Sequence, residues 1–67
     1  MSSNKIDQLI REILANDPDE VCEVALSLDT EGFMATLVEA GSPLNTSYGA
    51  TLEEALTELL ENNKASN

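Results

Sequence analysis

The spacing of apolar residues changes period twice along this chain, and that change limits the fold more than any other feature. Ile6, Leu9, Ile10, Ile13 and Leu14 recur at i, i+3, i+4, i+7 and i+8. Leu52, Ala55, Leu56, Leu59 and Leu60 repeat the same offsets. Each set forms one apolar stripe on an amphipathic helix. Between them the period drops to two. Val24, Leu26 and Leu28 alternate with Glu23, Ala25 and Ser27, and Phe33, Ala35 and Leu37 follow in the same manner. A strand with one buried face has that period. The chain therefore reads as helix, strands, helix.

Local signals place the boundaries. Asn4 is a candidate cap for the first helix, with Asp7 near its positive end. Pro18 disfavours helical geometry at Asp17, so this helix should stop near Asn16. Asp17-Pro18-Asp19-Glu20 has the pattern to open one further short turn. Thr51 with Glu54 forms a capping box at the start of the second helix. Asp29-Thr30-Glu31-Gly32 is a turn, with Gly32 free to take positive φ. A connection of that length sets Leu28 opposite Phe33, Leu26 opposite Ala35 and Val24 opposite Leu37, all on one face. The other face pairs Ser27 with Met34, Ala25 with Thr36 and Glu23 with Val38. A short third strand is expected over 44–48, after the break at Gly41-Ser42-Pro43. The expected architecture is a two-layer α+β domain, in the order helix, strand, strand, short strand, helix. Its antiparallel sheet is covered by two helices. Residues 1–67 make a single acidic domain, with 62–67 read as a frayed tail.

Sixty-seven residues bury only about 60% of their unfolded surface, so stability is marginal without help. Cys22 is the only cysteine and there is no histidine. An intramolecular disulfide, a Cys/His zinc site and a His-based acid–base centre are thereby excluded. Idealised packing or self-association is left to supply stability. No apolar run approaches the ~20 residues of a membrane span. Met1-Ser2-Ser3-Asn4-Lys5 lacks a signal-peptide core. With a single cysteine in the sequence, the expected compartment is the cytoplasm of a bacterium or of an infected host.

The inventory for catalysis is poor. Ser, Thr and Cys22 have no histidine base, and Lys5, Arg11 and Lys64 are scattered. Gly32, Gly41 and Gly49 form no phosphate-cradling loop. We expect no enzyme, no cofactor and no metal. The Asp17/Asp19/Glu20 cluster and the Asp29–Gly32 turn lack a calcium-loop pattern, and read more simply as a helix-start charge cluster and a hairpin turn.

Thirteen acidic residues against three basic ones give a net charge of −10. Such a chain is repelled by nucleic-acid phosphates and anionic lipid and attracted to basic protein surfaces. Glu54, Glu58 and Glu61 follow at i, i+4 and i+7, and Glu53 and Thr57 widen that side of the second helix. Like charges at i,i+4 destabilise a helix, so a sequence tuned only for stability would mix signs. The candidate partner-binding residues are Glu53, Glu54, Glu58 and Glu61, with Asp17, Asp19 and Glu20 as a second patch. Rows spaced about 6 Å along a helix resemble a run of phosphates, so mimicry of DNA is one form open to this face. A solvated face with no partner remains the plain alternative. Met34, Thr36 and Val38 make the outer sheet face stickier than solvation requires. With an open hairpin edge, they are candidates for self-association into a homodimer.

The stretch from Val24 to Leu60 resembles the core of the HicB-type antitoxin domain. Gly32-Phe33 matches that family's turn with a Gly-aromatic step, and Gly49-Ala50-Thr51-Leu52-Glu53-Glu54-Ala55 matches its entry into a helix. Gly41-Ser42-Pro43-Leu44 stands where the family carries a Pro-x-x-Pro/Gly-Cys stretch. The resemblance implies a small αβ domain, often dimeric, that neutralises a basic toxin. The expected function is a non-enzymatic acidic protein that inhibits or modulates a basic partner: a nuclease, a toxin or a DNA-binding protein. Phage inhibitors of nucleic-acid enzymes have the same size and charge. The alternative is a self-associating structural module with a solubilising surface.

Overall fold

The computed structural model describes residues 2–16 and 21–65, with side chains described for 4–16 and 21–63. Helix α1 spans Ser2–Ala15 and helix α2 spans Leu52–Ala65. Between them lie β1 (Cys22–Asp29), β2 (Gly32–Glu39) and β3 (Ser42–Gly49). The three strands form one antiparallel sheet in the order β1-β2-β3. The fold is thus α+β in the expected order, with one difference: the third strand is as long as the other two.

The hairpin register agrees with the alternation in the sequence. Leu28 faces Phe33, Leu26 faces Ala35 and Val24 faces Leu37, with Ser27/Met34, Ala25/Thr36 and Glu23/Val38 between them. Asp29 pairs with Gly32, so only Thr30 and Glu31 lie outside the ladder. The Asp29 carboxylate accepts the Glu31 N–H at 2.8 Å, an Asx turn that holds the connection. Gly32 has φ 130°, a region that L side chains avoid.

The second hairpin turns on Ala40 and Gly41, with φ of 52° and 84°. Two consecutive positive φ values suit the right-handed twist of the flanking strands. The break at Gly41-Ser42-Pro43 is therefore sharper than expected, and Ser42 and Pro43 already belong to β3. Pairing shifts register between Leu37 and Val38, since Leu37 faces Asn45 and Val38 faces Pro43. Leu44 is the extra residue of a bulge.

Both helices pack on one side of the sheet. The buried core is Leu9 and Ile13 from α1, Ala35 and Leu37 from β2, and Ala55, Leu56, Leu59 and Leu60 from α2. Ile6, Ile10, Leu14, Cys22, Val24, Phe33 and Leu52 pack around it. The central strand supplies all the sheet's fully buried hydrophobic residues, because only it has neighbours on both edges. The two edge strands are left partly bare. Leu26 and Leu28 share the helix-facing side with Ala35, yet they remain 40% and 66% exposed.

Three local expectations change. Asn4 does not cap α1, because the helix already begins at Ser2. Asp7 lies beyond the first turn and instead accepts a hydrogen bond from Arg11 Nε at 2.9 Å. The chain from Asn62, expected to fray, continues as helix to Ala65. Asn63 is buried, and Asn62 Nδ2 donates to the buried Ser47 hydroxyl at 3.0 Å. Polar anchoring to β3 thus extends a helix whose apolar stripe ends at Leu60. The possible turn at Asp17-Pro18-Asp19-Glu20 lies outside the described residues.

Candidate functional site

The entry into α2 builds the acidic surface. Glu54 N–H donates to Thr51 Oγ1 at 3.1 Å, and Glu54 Oε1 accepts from Ala50 N–H at 3.2 Å. This is the capping box in the sequence, with the carboxylate reaching one residue further back than usual. Ala55 N–H bonds the Thr51 carbonyl at 3.1 Å and closes the first turn. Gly49 lets strand and helix meet closely. A Cβ there would lie 2.5 Å from Ala55 N and 2.7 Å from Glu54 Cβ. Only a residue without a side chain fits.

That close junction places the first two turns of α2 beside the end of β3. The result is a groove of about 550 Å³ lined by Tyr48, Thr51, Glu53, Glu54, Thr57 and Glu58. Glu53, Glu54 and Glu58 are exposed, and none of the lining side chains is basic. Thr57 Oγ1 donates to the Glu53 carbonyl at 2.7 Å, so this hydroxyl is committed to the helix backbone. Glu54 is partly committed to its cap. Among the described residues, Glu53 and Glu58 are the groove carboxylates without a side-chain hydrogen bond or ion pair.

Of the residues singled out from the sequence, the structure brings Glu53, Glu54 and Glu58 together on this groove. Glu61 is exposed further along the same helix and does not line the groove. Asp17, Asp19 and Glu20 lie outside the described residues. Tyr48 was not anticipated. It belongs to β3, where it pairs with Met34, is 55% exposed and lines the groove together with the carboxylates. Its position before Gly49 was the one available signal.

Met34, Thr36 and Val38 lie on the sheet face opposite the helices. Met34 and Val38 are half-buried, and Thr36 is buried with its hydroxyl 3.2 Å from that of Thr46. A second, apolar cleft of about 240 Å³ sits by the first hairpin, lined by Leu26, Ser27, Leu28, Phe33 and Leu52. No helix among the described residues is long and apolar enough to cross a membrane. Among the described residues, no three His, Cys, Asp or Glu side chains converge as metal ligands. Comparison with protein-family models, with curated proteins and with solved structures finds no match.

Proposed function

We propose that this is a non-enzymatic binding domain whose α2 groove receives a basic segment of a partner protein. One observation carries the reading. An exposed aromatic residue, Tyr48, lines the same concavity as Glu53, Glu54 and Glu58, and no basic residue is in its lining. Carboxylates neutralise a guanidinium or ammonium group, and the ring face adds a cation–π contribution of ~0.5–1 kcal/mol at an exposed site. The partner class is a nuclease, a toxin or a DNA-binding protein, and the setting is the cytoplasm.

A short Arg-rich peptide titrated against the labelled protein tests this by NMR. Shifts should concentrate on Tyr48, Glu53, Thr57 and Glu58, and about 0.5 M salt should abolish them by screening. Glu53→Gln with Glu58→Gln should remove binding without loss of helix. These two positions are preferred to Glu54, which also caps α2. Shifts spread evenly over all the acidic residues would exclude a defined site.

A further inference from the structure

The two edges of the sheet differ. On β3, Pro43 has no N–H to offer, and the bulge at Leu44 interrupts the row. Ser42 faces Glu39 across the tight turn, so the position of Pro43 is one that points away from β2. The β1 edge has no proline, lysine or bulge. Ala25, Leu26, Ser27, Leu28 and Asp29 are all exposed. Ala40 N–H donates to the Val21 carbonyl at 2.8 Å. That bond fixes the alternation: odd-numbered residues of β1 bond β2, and the backbone groups of Val24, Leu26 and Leu28 point outward.

We propose that β1 pairs antiparallel with β1 of a second copy, joining the two sheets into one across a two-fold axis. The charges on the strand choose between the two registers that pair seven of its eight residues with a second copy. In a two-fold antiparallel pair, opposite residues share a face only when the axis passes midway between a residue and its own mate. Centring on Leu26 would set Glu23 against Asp29 of the second copy. Centring on Ala25 sets Glu23 against Ser27, so no carboxylates are opposed. The same register places Val24 opposite Leu26 as an outward-bonding pair, on the helix side of both sheets. Two apolar rows then meet over the cleft at Leu26, Leu28, Phe33 and Leu52. The two Glu23 residues stand about 13 Å apart by the strand rise, beyond a physiological Debye length of about 8 Å.

Cysteine cross-linking tests the register, in a Cys22→Ser background. Ala25→Cys faces its own mate at a non-hydrogen-bonded position, with Cα atoms about 4.5 Å apart, within disulfide reach. Ser27→Cys stands about 13 Å from its mate and should not cross-link. Sedimentation should show a dimer that tightens with added salt, since screening relieves the repulsion between two chains of charge −10. Leu26→Lys should weaken it about 100-fold while circular dichroism is unchanged. A monomer at about 1 mM protein overturns the proposal. So does a dimer that cross-links through Ser27→Cys, or one that cross-links at neither position. If Leu26→Lys fails to fold, the two cysteine variants still decide. The opposite salt response separates this pairing from capture of a basic segment, so either can fail alone.

Discussion

Ala40 is the one non-glycine residue among those described with positive φ, at 52°. An L residue there places Cβ near the following carbonyl and costs roughly 1–2 kcal/mol. Asn tolerates the same conformation through local hydrogen bonding. Ala40→Asn should therefore stabilise the fold by about 0.5–1 kcal/mol, read as a higher urea midpoint at unchanged slope. An unchanged or lower midpoint would mean that the turn carries no such strain. Gly49 shows a different constraint. It is held by the nearness of the α2 backbone, and the groove at Tyr48 depends on that nearness.

At the scale of elements, α2 is the piece on which the site depends. Thr51→Ala should cost about 1 kcal/mol by exposing the first-turn N–H groups, and Thr51→Ser should restore most of it. Thermal melts followed at 222 nm would show the loss, and equal melting of all three proteins would contradict the cap. This start was legible in Thr51-Leu52-Glu53-Glu54, because a capping box is a local device. The pairing of β1 with β2 was legible for a similar reason: the four-residue turn Asp29-Thr30-Glu31-Gly32 between two alternating runs brings Leu28 opposite Phe33, and the structure keeps that register. The length of β3 was not legible. Ser42-Pro43 reads as a breaker, and Asn45-Thr46-Ser47 has no apolar rhythm. Its inward residue Ser47 is buried through the bond to Asn62, a partner fifteen positions away in sequence. That same contact continues α2 past its apolar stripe. Alternation correctly assigned Leu26 and Leu28 to the helix side. It carried no information on whether a helix reaches that far.

At the scale of the molecule, the acids are unevenly placed. The row on α2 was visible as spacing, but the groove was not, since its ring comes from β3. The ion pair Asp7–Arg11 on α1 is exposed at both ends. Such pairs contribute little, so a charge of −10 is largely uncompensated and opposes compaction. The melting temperature at micromolar protein should therefore rise between about 10 mM and 0.5 M sodium chloride, as the screening length falls from roughly 30 Å to a few Å. A melting temperature that falls with salt would show that attractive pairs outweigh the repulsion.

The unlike edges of the sheet have a consequence for growth. In the terms of polymer chemistry, a domain with two reactive edges is a bifunctional monomer, and step growth carries it to fibres. With Pro43 and the bulge at Leu44 on one edge, this domain has a functionality of one. Pairing of β1 with β1 of a second copy is then a termination step, and the product presents only the two blunted β3 edges to the next arrival.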